Sequence, residues 1–157
     1  AMPKTGEVRY DVCLWLAKAY LDEKRYDDCI TLLEQARFSN WEGQSTPRDP
    51  FVSALMARGK GAFDQGNMES ARADFERALT YPENLEVGRP YVETNAETHY
   101  WFGRALSALG RVEEARKAWE TGAGQHSSKD PKLVFVNVTP TQDEYVLKCR
   151  TALEVLQ

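Results

Sequence analysis

The chain has 157 residues, of which 42% are hydrophobic and 28% charged, the composition of a soluble globular protein long enough to bury one sizeable core. Its 24 acidic and 20 basic residues give a net charge of −4, which argues against a general nucleic-acid binder. No apolar run approaches the roughly 18 residues of a membrane-spanning helix, and the N-terminus lacks the apolar core of a secretory signal.

The cysteines indicate a reduced environment. Cys13, Cys29 and Cys149 are odd in number and form no CxxC pair, so neither a disulfide framework nor a zinc site is indicated. Each falls in a helical pattern and is expected to be a small buried side chain. A cytoplasmic location fits this use of cysteine best.

Hydrophobic residues recur at the helical period through most of the chain. We predict seven helices, near residues 8–22, 26–38, 51–65, 68–81, 94–109, 112–124 and 141–156. Three helix starts are predicted from the pairs Asp49-Pro50, Thr94 with Glu97, and Thr141 with Glu144. Gly66 and Gly110 are expected in the tight turns between paired helices.

The same internal spacing occurs three times along the chain. A small residue on one predicted helix is followed 12 residues later by a small residue on the next, and one turn further by a large apolar residue. The small pairs are Ala17 with Cys29, Gly59 with Ala71, and Gly103 with Ala115, and the large residues are Leu33, Phe75 and Trp119. Because helices approach closely only where side chains are small, each pair marks a contact within a helical hairpin.

This pattern resembles the tetratricopeptide repeat. The resemblance implies an all-α fold, a right-handed α-solenoid of three helical hairpins plus a C-terminal capping helix, in a single domain over residues 1–157. The repeats are placed near residues 10–43, 52–85 and 96–129, and the capping helix near 141–156. Repeat starts lie 42 and 44 residues apart instead of 34, so insertions are expected near 44–51 and 86–95.

Two segments near the C-terminus leave alternatives open. The last predicted helix is either a cap on the open end of the array or the first helix of a truncated fourth repeat. One apolar stripe of this helix is predicted to contain Tyr145, Cys149, Ala152, Leu153 and Leu156. Before it, Val134, Val136 and Val138 alternate with other residues, which is typical of a strand. We expect an extended segment that crosses the helices, with a short edge pairing to a partner as the alternative.

Tetratricopeptide arrays bind ligands on the inner, concave face of their first helices. The resemblance places apolar or aromatic residues and one basic residue of each repeat on that face. The partner-binding residues it implies are Leu14, Lys18, Met56, Lys60, Phe63, Tyr100 and Arg104. The asparagine with which one subclass grips a terminal carboxylate is absent, so chaperone-tail binding is not implied. The alternative is that the basic residues are ordinary solvated side chains.

Motifs for catalysis and metal binding are missing from the sequence. The two histidines, His99 and His126, stand in unrelated settings, with no HExxH motif and no Cys/His cluster. Gly59-Lys60-Gly61 lies in a helical pattern and lacks the strand and glycine spacing of a phosphate-binding loop. We therefore predict that the protein is not an enzyme and has no catalytic residue, metal or cofactor.

The leading hypothesis is a non-catalytic module that binds a protein or peptide, with an acidic segment as one candidate, or an adjacent domain of the same polypeptide. Neither nucleic acid nor a membrane is expected as a partner, and nothing supports a homo-oligomer. Residues 37–43, 78–90 and 99–111 are also similar to the repeat region of large bacterial proteins with a β-sandwich-type domain of unknown function, DUF5107. That similarity implies an alternative, in which the chain is the C-terminal, auxiliary part of a carbohydrate-active protein and packs on an upstream sandwich.

Overall fold

The computed structural model describes residues 9–38, 46–128 and 138–156. Within these ranges the chain forms α-helices and one short 3₁₀ helix, Glu83–Leu85, and no strand. The α-helices are α1 (Tyr10–Asp22), α2 (Tyr26–Gln35), α3 (Arg48–Asp64), α4 (Met68–Ala78), α5 (Ala96–Ala108), α6 (Val112–Ala123) and α7 (Pro140–Val155). The predicted all-α repeat fold is confirmed, with every helix end within three residues of its predicted place. Trp41, Val134 and Val136 lie outside the described residues.

The chain divides into two compact units. The first unit contains the residues before Gly59 together with residues 80–89, and the second contains residues 59–79 and those from Pro90 onward. Helix α3 therefore contributes its first part to one unit and its last turns to the other. The single domain over residues 1–157 stays a prediction.

In the first unit, α1 and α2 pack as a hairpin around the predicted small pair. Ala17 and Cys29 are completely buried, and so is Leu33 one turn after Cys29. The 12-residue spacing thus identified the inward faces of both helices from the sequence. Cys29 also lies 3.8 Å from the Pro50 carbonyl oxygen, at the first turn of α3.

Helix α2 ends at Gln35, three residues before its predicted end, where the 3₁₀ segment Glu83–Leu85 caps it. The Asn84 side-chain amide donates hydrogen bonds of 2.8 Å to the carbonyl oxygens of both Leu33 and Ala36. The backbone N–H of Phe38 in turn donates to the Asn84 carbonyl oxygen at 2.9 Å. The last carbonyls of a helix have no partner within the helix, and here Asn84 supplies one from about 50 residues away along the chain.

In the second unit, α5, α6 and α7 pack around a common core. Its buried members are Leu106, Ala115, Ala118, Trp119 and Cys149. Ala152 and Leu153 of α7 pack against them, and so does Leu156 at the end of that helix. The apolar stripe predicted on the last helix is therefore the face that α7 buries. This contact is that of a helix capping the third hairpin.

Gly59 and Gly103 allow close contacts between helices in the second unit. A Cβ atom built on Gly103 would lie 2.4 Å from the Trp119 indole nitrogen, and one on Gly59 would lie 2.7 Å from the Phe75 ring. The sequence predicted that these glycines face Ala115 and Ala71, but the nearest atoms belong to the aromatic rings one turn later. The indole N–H of Trp119 donates to the Tyr100 carbonyl oxygen at 3.1 Å, which holds the ring against Gly103.

The starts of α5 and α7 differ from their predicted caps. Thr139, not Thr141, caps α7: its hydroxyl accepts from the Gln142 N–H at 3.1 Å, and Pro140 occupies the first turn. Asn95 takes the cap position of α5, without a side-chain cap bond. The buried Gln142 replaces that bond, since its side-chain oxygen accepts from the Ala96 N–H at 3.1 Å. A capping rule that uses only neighbouring residues could not predict this bond, because Gln142 belongs to another helix.

Each turn inside a hairpin contains one residue with a positive φ, in the left-handed backbone conformation. Gly66 has φ +82° and Gly110 has φ +75°, as their predicted turn positions require. The corresponding residue of the first repeat is Lys24, with φ +60°. A residue with a Cβ atom is disfavoured by roughly 1–2 kcal/mol in this conformation.

We therefore expect Lys24→Gly to raise the free energy of unfolding by about 1 kcal/mol, and Gly110→Lys to lower it by a similar amount. Urea denaturation followed by circular dichroism measures both changes. Equal effects of the same sign from the two substitutions would show that backbone strain does not dominate at these turns.

The buried cysteine thiols should make the free energy of unfolding fall as the pH rises into the alkaline range. Burial raises the pKa of Cys29 to about 11 and that of Cys149 to about 12, from an ordinary value of 9.0. Below pH 9 both states hold the thiol protons, whereas above it only the unfolded chain releases them. Each thiol should therefore lower the unfolding free energy by up to about 1.4 kcal/mol per pH unit above pH 9.

Urea midpoints of the wild type and Cys149→Ala at pH 8 and pH 10.5 test this dependence. The wild type should lose more stability than the variant over this interval, since tyrosine and lysine titrations are common to both proteins. Parallel losses would mean that the Cys149 thiolate is tolerated in the folded state.

Candidate functional site

Aromatic and basic side chains of α3, α5 and α7 meet on one surface of the second unit. Helical spacing positions them: Lys60 and Phe63 are three residues apart on α3, and Tyr145 and Lys148 are three apart on α7. On α5, Tyr100 and Arg104 are four residues apart, with Trp101 between them. We call these seven residues the Trp101 cluster.

The rings of the cluster are in mutual contact. Trp101 meets Phe63 edge to face, with ring centroids 5.6 Å apart, and Tyr100 lies 5.4 Å from Tyr145. The Trp101 indole N–H lies 3.4 Å from the Tyr145 hydroxyl oxygen, and its ring is 6.2 Å from the buried Phe75. Edge-to-face and offset pairs favour this arrangement beyond their buried area, so the rings form a stable platform.

Arg104 lies over this platform. Its guanidinium carbon is 4.6 Å from the Phe63 centroid, 4.8 Å from that of Trp101 and 5.9 Å from that of Tyr100. Across the parts of the chain that are described, the guanidinium has no carboxylate partner. Arg104 is half-buried, and its guanidinium carries five N–H donors that can bind an acidic group.

The other two cations of the cluster are neutralised. Lys60 pairs with Glu97 at 2.5 Å and lies 5.3 Å from the Trp101 centroid. Lys148 pairs with Glu144 at 2.6 Å and lies 4.4 Å from the Tyr145 centroid. The hydrogen bond to Glu144 raises the pKa of Lys148, so this ammonium stays charged. The attractive charge of the surface therefore falls mainly on Arg104.

A groove between α5 and α7 adjoins the cluster. It has a volume of about 290 Å³ and is lined by Tyr100, Leu147, Lys148, Thr151, Ala152 and Val155. Leu147 is 62% exposed and Val155 82% exposed. The groove shares Tyr100 and Lys148 with the cluster, so an apolar surface and a cationic surface are continuous here.

Four of the seven partner-binding residues predicted from the sequence come together in this cluster. Lys60, Phe63, Tyr100 and Arg104 belong to it, whereas the remaining three lie in the first unit. There, Leu14 is half-buried, Lys18 is exposed and Met56 is 8% exposed, which leaves little of the Met56 side chain for a ligand.

Sequence reasoning missed Trp101, Tyr145 and Lys148. Tyr145 was already on the predicted apolar stripe of the last helix, and Lys148 follows it by three residues. The signal that could have found the pair was this aromatic–basic spacing. Its packing beside α5 depends on how α7 docks, which no local pattern encodes.

Comparison with known proteins agrees with these hairpins. The family model described as tetratricopeptide repeat matches residues 14–85 and again residues 56–131. None of the curated proteins matches the chain. In the ranges that are described, no helix is both long and apolar enough to cross a bilayer. The two matches overlap and together cover well over half of the sequence, so the chain belongs to the tetratricopeptide repeat family.

Proposed function

We propose that the protein is a non-catalytic interaction module that binds a protein partner, either another chain or a neighbouring domain, on the first helices of its repeats. Membership of a repeat family that commonly serves protein–protein interaction supports this proposal. The observation that carries it is Arg104, a charged group that lies 4.6–5.9 Å from three ring centroids and has no carboxylate partner among the described residues.

Lys18, Lys60 and Arg104 do not contribute equally to the proposed binding surface. Lys60 is already paired with Glu97, so replacing it removes little net attraction for an acidic ligand. Arg104 lies close to three aromatic rings and has no carboxylate partner among the described residues. Aromatic and arginine side chains dominate the binding energy of many interfaces. The Trp101 cluster is therefore the proposed centre of the binding surface.

The test begins with random heptapeptides displayed with free C-termini and selected on the immobilised protein. The affinity of the best synthetic peptide is then measured by fluorescence anisotropy for the wild type and variants. Arg104→Glu should weaken binding by about tenfold or more, because a hydrogen bond to a charged group contributes roughly 1.5–3 kcal/mol. Binding should also weaken as the salt concentration rises.

Lys117→Glu is the matched control, since Lys117 is an exposed basic residue of α6, outside the cluster. It should leave the affinity within about twofold of the wild type. Lys60→Gln should have a smaller effect than Arg104→Gln. Equal affinity of the wild type and Arg104→Glu, with both proteins folded by circular dichroism, would place the binding surface elsewhere.

A second candidate is an auxiliary domain of a larger carbohydrate-active protein. It is favoured by the similarity of residues 78–90 and 99–111 to the repeat region of DUF5107-type proteins. The complete reading frame tests it: an upstream β-sandwich that co-elutes with this chain in gel filtration would support it. A reading frame without such a domain would end this candidate and leave the first one standing.

A further inference from the structure

We infer that the exposed face of α1 is a stacking surface, covered by a further helical hairpin of the same repeat type that precedes α1 in the same polypeptide. Val12, Trp15 and Ala19 form this face, because residues three and four apart lie on one side of a helix. We call these three residues the α1 stripe. All of them are exposed, Trp15 by 79%. None belongs to the Trp101 cluster, so the occupant of this face is independent of the proposed function.

The α1 stripe has an equivalent on each later first helix. Repeat starts lie 42 and 44 residues apart, and the start of α7 at Pro140 follows the start of α5 at Ala96 by another 44. The same intervals locate the equivalent residues, which are Ala54, Ala57 and Gly61 on α3, Thr98, Trp101 and Ala105 on α5, and Gln142, Tyr145 and Cys149 on α7. Each of these nine residues is buried or half-buried. Among the described helices of this kind, α1 alone leaves the stripe exposed.

Helix α5 shows what covers the position of Trp15. Its counterpart Trp101 meets Phe63 of α3 edge to face, with ring centroids 5.6 Å apart, and lies 6.2 Å from Phe75 of α4. Both of these rings belong to the hairpin that precedes α5 in the chain. An indole at this repeat position therefore packs on two aromatic side chains of the preceding hairpin.

Helix α7 is covered from the same direction. The hydroxyl of Tyr145, the second counterpart of Trp15, lies 3.4 Å from the Trp101 indole nitrogen of α5. Cys149 is completely buried and belongs to the same core as Trp119 of α6. The residues of the stripe differ between α5 and α7, yet both helices bury it against the hairpin before them. Burial is thus a property of the repeat position, and exposure on α1 indicates a neighbour beyond the described residues.

A second copy of the chain does not offer this neighbour within the described residues. A hairpin covers a stripe with the side that faces the next repeat, and that side is occupied in all three hairpins, by α3, α5 and α7 in turn. Repeats of a solenoid contact their neighbours along the chain, which favours a hairpin directly before α1. A terminal repeat ordinarily presents a polar outer face, and Val12 and Trp15 do not provide one.

The repeat spacing predicts which residues cover the α1 stripe. Phe75 precedes Trp101 by 26 residues, and the small residue Ala71 stands four positions before Phe75. The preceding hairpin should therefore carry a large apolar residue about 26 positions before Trp15, with a small residue four positions earlier. The complete reading frame tests this spacing. A β-sandwich joined directly to α1, or a reading frame in which no hairpin precedes α1, would overturn the inference.

Trp15 itself reports whether the stripe is covered. Iodide quenching is measured on the 157-residue chain and on the product of the complete reading frame, each as the wild type and as Trp15→Phe. The difference between the two forms isolates the fluorescence of Trp15. In the 157-residue chain this component should be readily quenched, because the indole is 79% exposed. In the complete product its quenching constant should fall several-fold.

Trp15→Glu tests the same contact through stability. In the 157-residue chain it should leave the urea midpoint unchanged, since the replaced side chain is exposed. In the complete product it should lower the midpoint, because a carboxylate would be buried against the preceding hairpin. Tyr91→Glu is the matched control: Tyr91 is 100% exposed and outside the stripe, so its replacement should leave both midpoints unchanged.

Three results would contradict the inference. Trp15 could be quenched equally in both proteins, or Trp15→Glu could leave the midpoint of the complete product unchanged. Sedimentation could also detect a dimer of the 157-residue chain that is lost in Trp15→Glu, which would assign the α1 stripe to a second copy. None of these results bears on the proposed function, which is tested by Arg104→Glu.

Discussion

Replacing Gly103 by leucine should lower the free energy of unfolding by about 1–3 kcal/mol or more, because the helix crossing between α5 and α6 has no room for a side chain. Even the first carbon would lie 2.4 Å from the Trp119 indole nitrogen. Trp119 is 5% exposed and donates to the Tyr100 carbonyl oxygen, so moving its ring breaks a hydrogen bond and disturbs the core. Urea denaturation measures the loss.

Gly103→Ala should also destabilise, but less, because alanine gains about 1 kcal/mol in helix propensity over glycine. Gly61→Ala is the matched control: it is a helical glycine of the same unit, with nothing within 4 Å of an added Cβ atom. That substitution should raise the stability by up to about 1 kcal/mol. A Gly103→Leu protein with an unchanged urea midpoint would contradict the packing of this hairpin.

Replacing Phe75 by alanine should cost about 3–5 kcal/mol, since it removes a large ring from a fully buried site. Phe75 fills the space against Gly59, at 2.7 Å from the glycine's missing Cβ, and its ring lies 6.2 Å from that of Trp101. The cavity would therefore lie directly beneath the aromatic platform that positions Arg104. Thermal and urea unfolding measure the loss of stability.

Tyr91→Ala provides the control for this loss. Tyr91 is an aromatic residue of the same unit but is 100% exposed, so its removal should change stability by no more than about 0.5 kcal/mol. Equal effects of the two substitutions would mean that Phe75 is not part of a tightly packed core. Phe75→Leu, which leaves a smaller cavity, should fall between them.

The sequence alone determined the helical elements and their inward faces. Ala17 with Cys29 and Gly103 with Ala115 share a spacing that identified the hairpin contacts, and each of these four residues is buried. These features could be predicted because each depends on helical periodicity and on side-chain size, which are local properties. Lys60, Phe63, Tyr100 and Arg104 were predicted to bind a partner from the resemblance to the repeat family, as repeat positions on first helices, and that role stays a prediction.

Only the tertiary structure decided how those residues work. Glu97 neutralises Lys60 and Gln142 completes the start of α5, although each bond joins residues more than 30 positions apart. Trp101 joins the candidate site because α3 and α7 both pack beside α5, which brings Phe63 and Tyr145 to its ring. Such contacts depend on how helices dock, and docking is set by the summed shape of many side chains rather than by any local pattern.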